Sequence, residues 1–575
     1  MNDSLLQEFD RLAQAPGGVA RLRELILSLA VRGKLVPQDP GDEPASVLLQ
    51  RIRAEKDRLL AEGKIKRDKP LPRITDEEQP FELPMGWEWA RGGNLFEVIR
   101  GVTYQKTDAR EAPVNGHLAL LRANNIRTTI NFDDLVYVPE TLISSDQLLQ
   151  SGDFVVCLAS GSKHLVGKAA VFPGDVQCSF GAFCGAIRPW QSLDYLSVYL
   201  ASPLYRGEVS AASAGIGINN LKGSTLVGLC IPVPPLAEQA RIVARVDELM
   251  RLCDALEAKG RLEAEQHTRL LDTLLSTLTD SATPEELAAN WQRVAEHFDL
   301  LLDRPEAVDA LEQTVLQLAV RGLLVLQDPS DEPASVLLRK IHAEKNRLIA
   351  EGKIKRDKPG PSIADNDDSI DLPQGWSSTY VGDVVDMLNG YAFKSEWFKP
   401  AGTRLLRNVN IAHGHVDWNT PAYVDAALAK EYGQFALDEG DLVLTLDRPI
   451  ISSGLKFAVI GERDLPCLLL QRVARLSPDP RVLSRDFLVL WMLSDAFIGA
   501  LDPGRSNGVP HISTKQVASM PFRLPPIAEQ ARIVARVTEL RRLCADLRQR
   551  LATSQATQSR LAEALVESVA SVASV

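Results

Sequence analysis

Long stretches of this sequence occur twice in one chain. The segment "LAVRGKLVPQDPGDEPASVLLQRIRAEKDRLLAEGKIKRDKPLP", from Leu29, returns as "LAVRGLLVLQDPSDEPASVLLRKIHAEKNRLIAEGKIKRDKPGP", from Leu318. The phrase "PPLAEQARIVARV", from Pro234, likewise returns as "PPIAEQARIVARV", from Pro525. A chain of 575 residues exceeds what one hydrophobic core accommodates, and two repeats are too few for a solenoid. The sequence therefore predicts two tandem, domain-sized units related by a pseudo-two-fold axis.

Each unit contains a predicted long helix with a narrow apolar stripe. The first runs from Ala240 to about Ser276, and a further helix begins where Thr283 can cap and Pro284 suits the first turn. A spacing of four and three residues is typical of a coiled-coil seam, so we expect the two long helices to pair with each other. The stripe residues are Ile242, Val246, Leu249, Cys253 and Leu256 in the first copy and Ile533, Val537, Leu540, Cys544, Leu547 and Leu551 in the second.

The middles of the two units differ from the helices, because they show short β-type runs. These are "LALLRANNI", "GDFVVCLAS" and "AAVFPG" in the first middle and "TRLLRNVNI", "GDLVLTLDR" and "KFAVIGE" in the second. The predicted fold class is α+β, with two globular α/β domains separated by long coiled-coil helical regions. The predicted parts are a helical region with a linker (1–80), a first globular domain (81–233), a central helical region with a linker (234–369), a second globular domain (370–524) and a C-terminal helix (525–575).

Composition excludes several classes of protein. The net charge of -11 argues against a chain that coats nucleic acid, although it leaves room for a local basic surface. The sequence has no apolar run long enough to span a membrane, and "MNDSLLQEFDRLAQ" lacks the features of a secretion signal, so we expect a cytoplasmic protein. The seven cysteines lack zinc-ligand spacing and are predicted to be reduced and mostly buried.

No catalytic motif is complete in this sequence. The phosphate-loop candidate "GSKHLVGKA" has the wrong spacing, and "SAGIGINN" is only a fragment of a dinucleotide fingerprint. Asp153 and Asp441 each precede a β run without the further acidic and basic residues of a metal-dependent nuclease, and turn chemistry accounts for both. His413 and His415 lack a third metal ligand. We therefore predict no catalytic, metal or cofactor site on this chain.

The combination of repeated phrases resembles a known family. The order of "LPMGW", a variable region, "IPVPPLAEQARIVARVDELMRLCDALE" and "AVRGLLVLQDPSDEPASVLLRKIHAEKNRLIAEGKI" is similar to the specificity subunit of Type I restriction-modification enzymes, over nearly the whole chain. The first middle, with "RGVTYQK", "SGSKHLVGKAA" and "CSFGAFCG", also resembles one class of target-recognition domain in that family.

The resemblance implies a division of labour between subunits. Two target-recognition domains would each read half of an interrupted DNA sequence, while antiparallel helices hold them apart. Two methyltransferase subunits, which use S-adenosylmethionine, would dock on the helices, and two motor-nuclease subunits, which use ATP and Mg²⁺, would join for cleavage. The chain itself would catalyse nothing. Many members begin at the first recognition domain, whereas this chain begins with a helical copy, Phe9 to about Glu62, which we expect to lie next to the C-terminal helix.

Polar and basic residues of the two middles are the predicted DNA contacts, because Arg and Lys suit guanine edges and Asn and Gln suit adenine edges. Two other functions stay open at this point, a self-contained DNA methyltransferase or nuclease and a coiled-coil scaffold that never reads DNA. The predicted contacts are Tyr104, Lys106, Arg122, Asn124, Asn125, Ser160, Ser162, Lys163, Asn219, Asn220 and Lys222 in the first domain and Arg407, Asn408, Asn410, Arg448, Lys456, Arg505, Asn507, His511 and Lys515 in the second.

Overall fold

The chain forms two compact units, one containing Met1–Ala264 and Ser554–Val575 and the other Glu265–Thr553. Both boundaries fall inside a long helix. Leu236–Thr279 is named the first long helix and Ile527–Val572 the second long helix. The computed structural model describes residue 13 and residues 15–65, 70–212, 219–281, 283–351, 372–501 and 511–572, with no side chain described at 348 or 566–572.

The first unit combines a pair of short helices with an α/β domain. Its helices are α1 (Gly18–Val31), α2 (Ala45–Ala61), α3 (Gly92–Leu95), α4 (Tyr195–Ala201), α5 (Pro203–Ala212) and α6 (Gly223–Gly228). Its strands are β1 (Glu88–Arg91), β2 (Phe96–Arg100), β3 (His117–Leu121), β4 (Val136–Pro139), β5 (Phe154–Cys157), β6 (Ala159–Ser160), β7 (Ala169–Val171), β8 (Cys178–Phe180), β9 (Cys184–Pro189), β10 (Asn219–Asn220) and β11 (Cys230–Val233).

Two small sheets form the body of this first domain. One has the strand order β2-β9-β5-β7 and is antiparallel throughout. The other has the order β4-β3-β8, in which β3 and β8 run parallel. Strands β1 and β11 pair at the point where the chain enters and leaves the domain. The double proline after β11 ends that strand and places the start of the first long helix beside the domain.

The second unit repeats this plan. Its helices are α7 (Pro284–Glu296), α8 (Phe298–Leu301), α9 (Pro305–Arg321), α10 (Ala334–Ala350), α11 (Val381–Val384), α12 (Ala426–Glu431), α13 (Arg485–Leu493), α14 (Asp495–Ile498) and α15 (Thr514–Ala518). Its strands are β12 (Ser377–Tyr380), β13 (Val385–Asn389), β14 (Thr403–Leu406), β15 (His413–Gly414), β16 (Tyr423–Val424), β17 (Leu442–Thr445), β18 (Ile450–Ile451), β19 (Gly454–Leu455), β20 (Phe457–Val459), β21 (Cys467–Leu469), β22 (Val473–Pro478) and β23 (Pro521–Leu524).

The sheets of the second domain match those of the first strand by strand. The order β13-β22-β17-β20 corresponds to β2-β9-β5-β7, with β15 added at the edge, and β16-β14-β21 corresponds to β4-β3-β8. The six β-type runs of the sequence all form strands, and Thr283 caps α7 by accepting from the Glu286 amide, so these predictions and the α+β class are confirmed. The five-part division of the chain stays a prediction. Of the linkers, 66–69 and 352–371 lie outside the described residues, as do Phe9 and 213–218 of "SAGIGINN".

The apolar stripe of each long helix lies in the core of its own unit. In the first unit Ile242, Val246, Leu249 and Cys253 share a core with Leu22 of α1, and Ala562 of the second long helix joins them. In the second unit the stripe is buried together with α9, and Cys544, Leu547 and Leu551 pack with Leu271 and Leu275 of the first long helix. An early stretch of one long helix thus packs with a later stretch of the other, as in an antiparallel pair. The sequence did not indicate that the short helices α1 and α9 also cover the stripe.

The N-terminal helical copy lies beside the C-terminal helix, as the sequence predicts. Arg21 of α1 donates to the backbone oxygen of Ser559 at 2.8 Å and to the Glu563 carboxylate at 2.5 Å. Ala562, one turn between them, is buried in the same core as Leu22. The first unit is therefore completed by the last helix of the chain.

The cysteines are core residues, as predicted. Burial raises the pKa of the Cys178, Cys184 and Cys467 thiols to about 12, so these side chains behave as small apolar groups at neutral pH. The buried, unbridged thiols are those of Cys157, Cys178, Cys184, Cys230, Cys253, Cys467 and Cys544.

A buried glutamate of the repeated "AEQ" phrase joins three distant segments of the first unit. Glu238 accepts from the indole of Trp87 at 3.0 Å through Oε2 and from Gln38 at 2.8 Å through Oε1. Gln38 also donates to the backbone oxygen of Gly33. Gly33 has φ +68°, and a Cβ there would lie 2.5 Å from Pro84 and 2.9 Å from the Trp87 ring, so only glycine lets the tryptophan approach. We name Gly33, Gln38, Trp87 and Glu238 the first clasp.

The second unit contains the equivalent second clasp, formed by Gly322, Gln327, Trp376 and Glu529. Here Glu529 accepts both bonds through Oε1, from Trp376 at 3.0 Å and from Gln327 at 3.2 Å, while its buried Oε2 has no hydrogen-bond partner. Burial raises the pKa of both glutamates, and the two donors oppose that rise. All four members of each clasp lie in repeated phrases, so each unit contains the same set of buried donors and acceptors.

Beyond the clasps, the charges between each short helix and its long helix are reversed from one unit to the other. Arg23 of α1 donates to Asp254 at 2.6 Å and to Glu257 at 3.0 Å on the first long helix. In the second unit the position of Arg23 is occupied by Glu312, which accepts from Arg541 at 2.7 Å and from Arg548 at 2.6 Å. If α1 took the place of α9 on the stretch of the second long helix that contains Arg541 and Arg548, Arg23 would face these two arginines. The reversal therefore favours pairing within a unit over the crossed pairing of two nearly identical repeats.

Replacement of the clasp glutamate by glutamine should affect the stability of the two clasps differently. Glu529→Gln keeps one oxygen for both donors and removes a charge, so we expect the free energy of unfolding at pH 7 to change by less than about 0.5 kcal/mol. Glu238→Gln places an amide NH₂ against one of the two donors and should cost about 1–3 kcal/mol. Urea unfolding of the full chain, followed by tryptophan fluorescence, compares the variants, and equal losses would contradict the difference between the clasps.

The same glutamates give a pH dependence. Because the pKa of Glu529 is raised in the folded chain, its contribution to stability is present below the unfolded pKa of about 4.3 and is lost as the pH rises through the folded pKa. We expect the thermal midpoint of Glu529→Gln to fall less over this range than that of the unaltered chain. Parallel curves for the two proteins would show that Glu529 does not titrate in this way.

Charge reversal at Arg23 tests the pairing of the helices. Arg23→Glu sets three carboxylates together and should lower the stability of the chain by about 1 kcal/mol, since the side chains are partly exposed. Adding Asp254→Arg and Glu257→Arg should restore the thermal midpoint. Arg23→Ala is the matched control and should cost less than Arg23→Glu. If the triple variant is no more stable than Arg23→Glu alone, the ion pairs do not favour this pairing.

Candidate nucleic-acid interface

Loops of the second domain meet at one edge because of how its strands run. Strands β14 and β21 are parallel, so both end there. Strand β17 is antiparallel to β20 and β22, so its end lies beside their starts. A bridge between Asp447 and His511 adds a further segment. We name this side of the domain the second loop edge.

A cavity of about 440 Å³ opens at the second loop edge. Four of its lining residues were predicted from the sequence as DNA contacts, namely Asn408, Arg448, Lys456 and His511. The structure therefore brings together residues that are up to about a hundred positions apart in the chain. The lining residues are Asn408, Val409, Asp447, Arg448, Ile451, Lys456, Arg472 and His511.

Asp447 is the centre of this group. Its carboxylate is buried, and Oδ2 accepts from Arg472 Nη1 at 2.8 Å and from Asn408 Nδ2 at 3.3 Å. Its Oδ1 lies 3.1 Å from Nδ1 of His511 without an aligned hydrogen bond. Arg448 and Arg472 both have positive φ, at 48° and 69°, a conformation that costs energy for arginine and is typical of functional sites.

Lys456 has an internal role at this edge. It is buried and its ammonium donates to the backbone oxygen of Asn408. Burial lowers the pKa of Lys456, and the nearby Asp447 opposes that change. The lysine therefore fixes the loop that carries Asn408, while Arg448 and Arg472 are the exposed cations of the cavity.

The first domain has an equivalent first loop edge. Residues Ser160 and Asn219 pair across β6 and β10, as do Ala159 and Asn220. The backbone oxygen of Phe183 accepts from the amides that follow β5, which joins the turn before β9 to the same edge. Of the exposed predicted residues, Ser162 and Lys163 follow β6, Lys222 follows β10, and Asn124 lies in the turn after β3.

The remaining predicted residues lie at different distances from the edges. Tyr104 is close to the first loop edge, since a Cβ on Gly181 would lie 3.6 Å from its ring. Lys106 is exposed further along that loop, in the turn Lys106–Asp108. Lys515 is exposed on α15, four residues after His511. Arg505 and Asn507 lie in 502–510, outside the described residues.

Besides Lys456, four predicted contacts form hydrogen bonds within the protein. Asn125 and Asn410 are 1% and 0% exposed, and their amides donate to backbone oxygens of the loops that they cap. Arg122 donates to the backbone oxygen and carboxylate of Asp134, and Arg407 donates to the backbone oxygen of Thr420. We assign the two asparagines a structural role, because their buried side chains have no path to a base.

The two loop edges differ sharply in chemistry at equivalent positions. Arg472 and Phe183 each immediately precede the matching strands β22 and β9. Asp447 corresponds to Ala159 and His511 to Asn220, since each pair forms the same bridge. At these three matched positions the second loop edge has Arg472, Asp447 and His511, whereas the first has the uncharged Phe183, Ala159 and Asn220. Sequence reasoning missed Asp447, Arg472 and Phe183, because only the strand pairing shows that the turn before β9 or β22 reaches this edge.

Other kinds of site find no support among the described residues. Within those parts of the chain, no group of three His, Cys, Asp or Glu side chains is placed to hold a metal ion. Asp153 and Asp441 accept from backbone amides of their own turns, as the turn interpretation predicts. His413 Nδ1 lies 2.8 Å from the backbone oxygen of Leu455. None of the described helices combines the length and apolarity needed to cross a membrane.

Comparisons with known proteins agree with these observations. Residues 84–266 match the model of the Type I restriction modification DNA specificity domain. The specificity subunit of the Type I restriction enzyme EcoAI of Escherichia coli is 44% identical over 96% of this chain and 93% of its own length, and that of EcoEI of Escherichia coli is 34% identical over the same shares. A crystal structure of the HsdS subunit from Thermoanaerobacter tengcongensis is 20% identical over 85% of this chain and 98% of that chain, with a TM-score of 0.40. This chain belongs to the specificity subunits of Type I restriction enzymes.

Proposed function

We propose that this chain recognises a two-part DNA sequence for a Type I restriction-modification complex, with each domain reading one half. The observation that carries the proposal is the pair of loop edges. Two domains with the same strand order present different side chains at equivalent positions, as expected of two readers of different sequences. The chain is a non-catalytic subunit, and methyl transfer and cleavage belong to partner subunits.

The proposed contacts are polar residues of the two loop edges whose side chains are exposed or partly exposed. A net charge of -11 means that the isolated chain should bind DNA weakly, and partner subunits would supply much of the phosphate contact. In the first domain the set is Tyr104, Lys106, Asn124, Ser160, Ser162, Lys163, Asn219, Asn220 and Lys222. In the second domain it is Asn408, Arg448, Arg472, His511 and Lys515, together with Arg505 and Asn507 on sequence grounds.

In each unit both long helices carry an exposed leucine. Leu252 and Leu561 are 43% and 60% exposed in the first unit, and the repeat places exposed Leu543 and Leu270 at the same positions in the second unit. The matched positions would suit contacts with two copies of one partner, because the two units would present the same apolar side chains to it. We propose that they bind two methyltransferase subunits that use S-adenosylmethionine, and that two motor-nuclease subunits using ATP and Mg²⁺ complete the complex.

The same proposal includes a cytoplasmic location for this chain. It also assigns no cofactor to this chain.

Exchange of one domain tests the reading function. Residues 90–230 are replaced by the corresponding segment of another specificity subunit, and the chimera is combined with the methyltransferase subunit. Sequencing of methylated adenines should show one half-site changed and the other half-site unchanged. An unchanged pattern would favour a scaffold that never reads DNA. Methyl transfer or cleavage by the chain alone would favour a self-contained enzyme.

Removal of the exposed leucines tests the docking faces. Leu252→Asp with Leu561→Asp should reduce the complex from two methyltransferase subunits to one, because the substitutions place charge in one apolar contact and leave the other intact. Leu543→Asp with Leu270→Asp is the matched variant and should have the same effect. Native mass spectrometry counts the subunits. Retention of two subunits in both variants would contradict docking at these leucines.

A further inference from the structure

One turn position distinguishes the two loop edges most clearly. Phe183 precedes β9 and Arg472 precedes β22, and these strands occupy the same place in matching sheets. Both side chains are exposed, by 63% for Phe183 and by 61% for the side chain of Arg472. A phenylalanine and an arginine at the same exposed position cannot make the same contact with a ligand.

Arg472 is held in place by a buried acid. Its Nη1 donates to Asp447 at 2.8 Å, and Asp447 is almost completely buried behind it. This bond engages one of the guanidinium nitrogens, and the other donors of the rigid fork have no recorded partner within the described parts of the chain. An arginine fixed in this way loses little conformational freedom on binding, and two parallel N–H donors match the O6 and N7 atoms of guanine in the major groove.

Phe183 is fixed by its backbone instead of its side chain. Its carbonyl oxygen accepts from the amides of Leu158 and Ala159 at 2.8 and 3.0 Å. The turn is therefore rigid while the ring is largely exposed and has no donor or acceptor. Of the groups in the major groove, the thymine methyl is the one that an apolar side chain recognises.

We propose that this turn position determines one base pair in each half-site. Arg472 recognises a guanine in the half-site of the second domain, with Asp447 as its positioning residue, and Phe183 contacts a thymine methyl in the half-site of the first domain. The inference rests on the proposed reading function but goes beyond it, because it names the base class for each domain.

The test uses the chain assembled with its methyltransferase subunits. Methylated-site sequencing first defines the two half-sites of the unaltered complex. Initial rates of methyl transfer are then measured on duplexes that carry each of the four base pairs at every position. Arg472→Ala should lose discrimination at a single G·C pair in one half-site, by roughly 5- to 150-fold. Phe183→Ala should lose discrimination at a single A·T pair in the other half-site.

Controls separate this proposal from the proposed function. Arg463→Ala removes an exposed arginine in the turn Glu462–Asp464, at the far end of β20 and β21, and should leave discrimination unchanged. Arg472→Lys keeps a cation beside Asp447 without the guanidinium fork, so it should retain only part of the guanine preference. If Arg472→Ala does not assemble, the base preference of Arg472→Lys tests the proposal instead. Asp447→Asn should weaken discrimination at the same base pair as Arg472→Ala, whereas a merely structural role would lower the thermal midpoint without changing base preference.

Two outcomes would overturn the inference while leaving the reading function intact. One is a half-site for the second domain that contains no G·C pair. The other is undiminished discrimination at every base pair in both Arg472 variants. If the unaltered complex methylates no defined site, the proposed function itself fails.

Discussion

Two buried glutamates, Glu238 and Glu529, hold together segments of each unit that are far apart in the sequence. Burial of a carboxylate costs several kcal/mol unless donors surround it, and each glutamate receives an indole N–H and a glutamine amide. Because the donors come from the segment after the first short helix and from the start of the globular domain, satisfying the acid fixes both relative to the long helix. The placement of the loop edges depends on this arrangement.

Much of the architecture could be predicted from the sequence because it is written in repeats and periodicities. The repeated phrases predicted two units, the β-type runs predicted β3, β5 and β7 and their counterparts, and the proline pairs marked where the long helices begin. The clasps could not be predicted, because Glu238 in "AEQ" has the appearance of an ordinary acidic residue in a first helical turn. Its burial follows from the approach of Trp87, which comes from a segment about one hundred and fifty residues earlier.

The residues of the candidate site could likewise be predicted only in part from the sequence. Residue type alone suggested Asn125 and Asn410 as DNA contacts, yet both stabilise tight loops from inside the protein. Arg472 gave no signal, because an arginine in "LLLQRVARL" looks like part of a strand. Only the parallel pairing of β14 with β21 brings the turn after β21 to the edge where Asn408 and Asp447 lie. Base-reading candidates therefore depend on sheet topology more than on composition.

The clasps and the loop edges of this protein differ in how far their residues are matched between the two units. Every clasp residue is matched by an identical residue in the other unit, whereas the residues at the two loop edges share little. The clasps must satisfy the same buried groups in both units, whereas the residues of the loop edges need not match between the units and can vary with the bases that they contact.

The opposite charges on the two helix pairs have a consequence for how such genes can be rearranged. A gene that trades only a globular domain with a relative keeps Arg23 opposite acids and Glu312 opposite arginines, and its product can fold. A break point that joins the first copy of the repeated helical sequence to the second copy would instead place Arg23 opposite Arg541 and Arg548, so like charges would meet. We therefore expect the ion pairs to allow new specificities to arise by domain exchange. Chimeras that combine a short helix of one unit with the long helix of the other should be less stable.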